Sequence, residues 1–143
     1  MKNIFYSFLF FLFYFNIQAQ PFLQYSNTYS YPGTGAEKGL SIDYDDAGNA
    51  YVTGTTDANG NNDIITIKYS PTGTKLWENI YSGNGNGDDH PVKVITDKIN
   101  NNNRVYVTGY SKGNGTGYDW ITIAYNLTTG DTVWTRRYND PSN

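Results

Sequence analysis

Cysteine is absent from the 143 residues, histidine and methionine occur once each, and only 16% of the residues are charged. Without cysteine, thiol catalysis, thiolate metal sites and disulfide bonds are excluded, so packing must supply the stability of the fold. Acidic residues outnumber basic ones, for a net charge of −3. Because nucleic acid favours proteins with a clustered basic face, this balance argues against a nucleic-acid-binding role.

A long hydrophobic run occurs only at the N-terminus. Lys2 supplies a positive start, residues 4–15 are mostly Phe, Leu and Tyr, and the small residue Ala19 follows. The apolar run is about a dozen residues, short for a helix across a bilayer core of roughly 30 Å. We therefore predict a signal peptide over residues 1–19, cleaved to leave Gln20 first. An uncleaved membrane anchor is the alternative.

Removal of the leader leaves nine basic and thirteen acidic residues, a net charge of −4. The remaining chain is rich in Tyr, Gly, Asn and Thr. Aromatic and β-branched residues favour strands, whereas Gly and Asn favour tight turns. Helical periodicity is absent beyond the leader, and no second run is long enough for a membrane span. The sequence therefore predicts an all-β protein.

The chain also repeats itself. Three landmarks recur in the same order, 55 to 57 residues apart: residues 51–54 (Tyr-Val-Thr-Gly) at 106–109, residues 63–69 at 119–125, and Trp77 at Trp134. A partial third copy precedes them, because residues 25–30 align with residues 77–82. A period in the fifties is typical of solenoids, propellers and arrays.

Each period contains four short strand patterns separated by turn residues. The predicted strands are 40–44, 50–55, 64–69 and 75–82 in the first period, and 92–96, 105–110, 120–125 and 132–138 in the second. Four strands joined by short turns form an antiparallel meander, which is one β-propeller blade. We predict a propeller repeat region over 20–143, with a lone outer strand at 23–30 and blades at 39–82 and 91–139.

The repeated residues are interpreted as structural. They are Tyr51, Val52, Gly54, Asp63 and Trp77, with their second copies Tyr106, Val107, Gly109, Asp119 and Trp134. The valines are expected on strands buried against neighbouring blades, and the glycines at a bulge or a close backbone approach. The tryptophans are expected to fill the gap between blade faces. The aspartates are expected to cap turns.

No catalytic, cofactor or metal residue is predicted. Calcium is the sharper alternative for the acidic clusters at 43–46 and 88–89, but neither follows the twelve-residue calcium loop. His90 lies in a Gly/Asn-rich segment, with no nucleophile-elbow motif in the chain. The loop residues proposed for binding are Tyr31, Tyr110, Tyr118, Asp88, Asp89 and His90.

These motifs resemble the bacterial β-propeller repeat known as the SBBP repeat. Residues 45–54, 63–69 and 73–77 match its three segments, and the second copy matches less well, with Ala124 in place of Lys. The resemblance implies export to the outer surface of a Gram-negative bacterium or beyond, often with type IX secretion. Propellers close with 4–8 blades, so we expect a piece of a longer protein or a truncated reading frame, completed by further blades or by an oligomer.

The predicted function is a non-catalytic exported scaffold or binding module for a protein or carbohydrate ligand. The alternative is a blade segment of a quinoprotein-like enzyme, because residues 72–77 and 129–134 resemble the Thr-Gly-x-x-x-Trp segment of those blades. In that family the segment is a docking motif between blades. A glycan-processing propeller is a further alternative, and it would need a pair of carboxylates.

Overall fold

The computed structural model describes residues 26, 28–30, 36–57, 60–97 and 102–139. The predicted signal peptide, Tyr31 and most of the predicted lone strand lie outside these residues. The described elements are eight β-strands: β1 (Lys38–Tyr44), β2 (Ala50–Thr56), β3 (Asp63–Tyr69), β4 (Lys75–Tyr81), β5 (Asp89–Thr96), β6 (Arg104–Lys112), β7 (Tyr118–Asn126) and β8 (Thr132–Tyr138). Within the described ranges, no helix could cross a membrane. The predicted all-β fold is confirmed.

The eight strands form two antiparallel sheets of four, in the orders β1-β2-β3-β4 and β5-β6-β7-β8. Short turns join neighbouring strands, and Asp45 shapes the first of them. Its carboxylate accepts hydrogen bonds from the backbone amides of Ala47 and Asn49, at 3.0 and 2.9 Å. Asp commonly bonds the backbone in this way at turns. Each sheet is therefore a meander whose order follows the chain.

A β-bulge interrupts the first hairpin of each sheet at the same place. The register shifts between Gly39 and Ser41 opposite Gly54 in the first sheet. It shifts again between Pro91 and Lys93 opposite Gly109 in the second. A Cβ atom on either Gly54 or Gly109 would collide with a backbone carbonyl of the facing strand. These glycines therefore permit a close backbone approach that a side chain would prevent.

The core lies between the two sheets. The first sheet contributes Tyr51, Ile64 and Trp77, and the second contributes Val94, Val105, Val107, Ile121, Ile123 and Tyr125. Burial of each large apolar side chain stabilises the fold by roughly 1.5–3 kcal/mol. The repeated residues do not share one environment, because Val107 is buried in this core while Val52 is half-buried on the other side of the first sheet.

Polar groups link the sheets where β5 packs against β1. Asp43 accepts hydrogen bonds from the backbone amide and the hydroxyl of Thr96, at 2.7 and 2.8 Å. Ser41 accepts a third from the backbone amide of Val94, at 3.2 Å. Because β5 is an edge strand, its outward amides need partners. Side chains of the first sheet supply them.

A second link joins the aromatic core to the turn after β7. The backbone carbonyl of Leu127 accepts hydrogen bonds from Trp77 Nε1 at 3.2 Å and from Lys68 Nζ at 3.0 Å. Lys68 Nζ also lies 5.1 Å from the ring centroid of Tyr51. A buried ammonium needs such partners. Burial lowers the pKa of Lys68, against the opposing effect of Asp45.

Asp119 forms a buried ion pair with Arg137 at the same interface. The guanidinium lies 2.8 Å from Asp119 Oδ2, with side-chain exposures of 23% for Arg137 and 1% for Asp119. Arg137 also donates to Ser111 Oγ at 2.6 Å and to the Tyr81 hydroxyl of the first sheet at 3.4 Å. The aspartate at the start of β7 therefore receives hydrogen bonds from Arg137 and from Thr116, within its own turn.

Candidate functional site

Three rows of side chains cross the side of the second sheet that faces away from the first sheet, here named the outer face. The register gives the rows, from β5 to β8, as His90–Tyr110–Trp120–Tyr138, Lys93–Thr108–Thr122–Arg136 and Ile95–Tyr106–Ala124–Trp134. Successive strand residues point to opposite faces, so these positions share one side of the sheet. Two rows rich in aromatic rings therefore flank a row of threonines with a cation at each end.

Solvent reaches much of this outer face. Trp120 is 74% exposed and Tyr138 is 62% exposed, and Tyr110, Ile95 and the neighbouring Tyr118 are also exposed. Single exposed apolar residues are ordinary on protein surfaces, whereas contiguous patches mark interaction sites. The outer face is contiguous because its aromatic residues are cross-strand neighbours. Its composition is therefore that of an interaction surface.

The rings on the outer face pack against one another. The centroids of His90 and Tyr110 lie 5.0 Å apart, and those of Tyr110 and Tyr118 lie 5.4 Å apart with the rings nearly perpendicular. Trp120 and Tyr138 follow at 6.4 Å. These separations fall in the range in which aromatic pairs attract. The rings support each other on a strand scaffold, which reduces the conformational entropy lost on binding.

The outer face carries positive charge. Arg136 lies 5.8 Å from the Trp134 ring, and Lys112 Nζ lies 5.3 Å from the Tyr118 ring. Such contacts are cation–π interactions. The three rows also include Lys93, and none of their twelve positions holds Asp or Glu. A partner that presents apolar groups, or negative charge, fits this surface.

The structure brings together three of the residues proposed for binding. His90, Tyr110 and Tyr118 form one cluster, but they lie on β5, β6 and β7 rather than in loops. The strands extend further than predicted because pairing continues to Lys112 opposite Tyr118, which leaves only a short turn between β6 and β7. The placement of His90 and Tyr118 in loops was therefore wrong, and Tyr110, also named as a loop residue, lies within the strand predicted at 105–110.

The other proposed residues have different surroundings. Asp88 accepts a hydrogen bond from the backbone amide of Asn62 at 2.9 Å. Asp89 is fully buried and accepts one from the backbone amide of Gly83 at 2.5 Å. Both aspartates thus form hydrogen bonds that stabilise the connection between the two sheets, and neither contributes to the outer face. Tyr31 lies outside the described residues.

Sequence reasoning missed the centre of the outer face. Trp120 and Tyr138 were interpreted only as strand residues, and Trp134 was expected between two blade faces. Trp134 lies half-buried on the outer face, with its ring centroid 6.0 Å from that of Tyr106. The alternation of residues along β7 could have indicated the site. Trp120 lies two residues before Thr122, and so on the same side of the strand, at the position that Ile64 occupies in the first repeat.

A metal site would need clustered oxygen ligands, six to eight of them for calcium. Across the described ranges, no group of three or more acidic or histidine side chains could hold a metal ion. Asp45, the centre of one acidic segment, is engaged by Asn49 Nδ2 at 2.8 Å and by the Tyr51 hydroxyl at 2.9 Å. Burial by itself would raise the pKa of Asp45, but these hydrogen bonds hold it below its usual value.

In comparisons with known proteins, no family model matches the chain, and no curated protein shows a significant match. The similarity to the SBBP repeat therefore rests on its motifs alone. The outer face is defined by its geometry and chemistry, independently of any relative.

Proposed function

We propose that the chain is a non-catalytic module of an exported β-propeller-type protein and that it acts by docking a macromolecule onto its outer face. The observation that carries this proposal is the contiguous aromatic surface around Trp120, which is 74% exposed. Interface hot spots are enriched in Trp, Tyr and Arg, and the outer face contains all three. A rigid sheet presents them without prior rearrangement.

The way the two sheets pack supports the propeller part of the proposal. Each sheet is a four-stranded antiparallel meander, as a propeller blade is, and the two lie face to face in chain order. Gly130, in the second Thr-Gly-x-x-x-Trp segment, packs against Trp77 of the first. The contact is consistent with a docking role for the segment between sheets, which supports a propeller-type packing. The quinoprotein resemblance implies the same role, so this contact does not separate the two functions.

Export is proposed from residues 1–19. Their positive start, apolar centre and small residue at Ala19 suit a cleaved leader. Expression of the whole chain in a Gram-negative host, followed by N-terminal sequencing of the secreted or surface fraction, should find Gln20 first. Product that stays in the inner membrane with Met1 intact would support the membrane-anchor alternative instead.

Site-specific photo-cross-linking tests docking on the outer face. A photoreactive phenylalanine analogue replaces Trp120 in the exported chain, and the matched control carries it at Asn114, an exposed turn residue. We expect a discrete cross-linked species from position 120 and none from position 114. Equal labelling at both positions, or none at either, would contradict a docking function for the outer face.

A further inference from the structure

The outer face is the repeat counterpart of a surface that is already docked within the chain. Tyr106, Trp120 and Trp134 occupy the positions that Tyr51, Ile64 and Trp77 hold in the first sheet. The three residues of the first sheet are buried in the core, covered by the second sheet. The outer face therefore repeats the pattern of a sheet-docking surface while remaining open.

The opposite end of the chain carries the complementary half. Counted from the bulge in each sheet, Ile42 on β1 occupies the same position as Val94 on β5. Val94 is buried against the first sheet. Ile42 faces away from the second sheet and is 63% exposed, and Tyr44 on the same side is 65% exposed. This side of the first sheet is named the back face. The back face thus repeats the pattern of the second half of the internal interface, and its β1 part is exposed.

The open part of the back face is β1. Thr28–Ser30 lie beside Tyr69 and the turn before β4. Tyr29 lines the same cavity as Ile65 and Ile67. On β1, by contrast, Leu40, Ile42 and Tyr44 are exposed. The internal interface places β5, the counterpart of β1, against β1 and β2. The open strand is therefore the counterpart of β5, the strand whose backbone approaches the first sheet most closely in the internal interface.

We infer that the partner of the outer face is a second copy of this chain, whose β1 packs across β5 and β6 as β5 packs across β1 and β2. This inference rests on the proposed docking function and names its partner. The contact continues the internal interface, with apolar Leu40 and Ile42 meeting the aromatic rows. It joins two different surfaces, so the association is heterologous and forms a ring or an open array.

Charge favours this arrangement over contact between two outer faces. The outer face carries Lys93 and Arg136 and no acid in its three rows, whereas the chain as a whole has a net charge of −3. Two outer faces in contact would bring like charges together, which is unfavourable in a partly desolvated interface. Head-to-tail contact avoids this repulsion, because the exposed back-face residues Leu40, Ile42 and Tyr44 are uncharged.

Light scattering of the full exported chain, over a wide concentration range, tests this inference. We expect wild type to form species larger than a monomer. Trp120→Glu disables the outer face and Ile42→Glu disables the back face, so each variant alone should be monomeric. Mixed in equal amounts, they should form a dimer of twice the monomer mass, because each retains the face that the other lacks. Asn114→Glu is the charge control and should associate like wild type.

Both substituted positions are exposed, so we expect each variant to keep the fold. The circular dichroism spectrum and melting temperature of each variant should stay close to those of the monomeric wild-type chain. A wild-type chain that is monomeric at every concentration would overturn the inference. So would an Ile42→Glu variant that still associates, because it would indicate contact between outer faces. If the cross-linker at position 120 captures another molecule and never this chain, docking stands and self-association fails.

Discussion

Gly130, in the turn between β7 and β8, lies against the indole ring of Trp77 on the other sheet. A Cβ atom placed on Gly130 would come within 2.6 Å of the ring, and the backbone there has a φ of +78°. The turn can approach the tryptophan this closely only because the residue has no side chain. The same turn presents the Leu127 carbonyl to Trp77 Nε1 at 3.2 Å.

Gly130→Ala should destabilise the protein through this contact. We expect a loss of about 1–3 kcal/mol from overpacking against Trp77, added to roughly 1–2 kcal/mol for a left-handed alanine. Urea denaturation measures the total. Gly115→Ala is the matched control, because Gly115 has a φ of +81° and its added methyl group would meet no described atom within 4 Å. Equal losses in the two variants would contradict the contact with Trp77.

Trp77→Ala and its repeat counterpart Trp134→Ala should differ in stability. Trp77 is buried between the sheets, so we expect its truncation to cost about 3–5 kcal/mol. Trp134 is half-buried on the outer face and should cost clearly less. Thermal and urea denaturation of both variants in the monomeric Ile42→Glu background provide the comparison without a contribution from association. Similar costs would mean that Trp134 is covered within the monomer.

Arg137→Ala should be more damaging than the loss of an exposed ion pair. It leaves the Asp119 carboxylate buried without its guanidinium, a change that costs about 3 kcal/mol, at the low end of the usual range because Arg137 is partly exposed. Lys75→Ala is the matched control, since it removes an exposed pair with Glu78 and should cost roughly 0–1 kcal/mol. A double-mutant cycle with Asp119→Ala isolates the coupling. Negligible coupling between Arg137 and Asp119 would contradict the conclusion that their buried ion pair stabilises the fold.

Acid should weaken the turn held by Asp45. Hydrogen bonds lower the folded-state pKa of this carboxyl. Its contribution to the free energy of unfolding is therefore complete above the unfolded-state pKa of about 3.9. The contribution is lost as the pH falls through the lower folded-state pKa. Asp45→Asn should therefore flatten the dependence of stability on pH below about 4, as measured by urea denaturation. The exposed neighbour Asp46, replaced by Asn, serves as control, and an equal flattening there would contradict the role of Asp45.

Much of the fold could be predicted because its signals are local. The alternation in residues 64–69 and the turn chemistry of residues 45–49 depend only on neighbours along the chain, and both lie where the sequence placed them. Strand ends were less accurate. Whether β6 continues to Lys112 depends on Tyr118 pairing with it, and that partner lies across a glycine-rich turn.

The candidate site could be predicted only in part. His90, Tyr110 and Tyr118 were proposed from their residue types, yet they were placed in loops and without Trp120 or Tyr138. Asp88 and Asp89 looked equally suitable in the sequence, but the structure engages them in the connection between the sheets. A residue type indicates what a side chain can contact, whereas the register decides which side chains stand next to each other.

The sequence by itself determined that the described chain is built of two repeated, four-stranded β units, because strand periodicity and turn residues act over short distances. Only the tertiary structure decided which side of each sheet is covered. Trp77 and Trp134 occupy the same position in the repeat, yet one is buried and the other lies on the outer face. The physical reason is that alternation gives every strand two faces, and burial depends on whether another sheet packs over them.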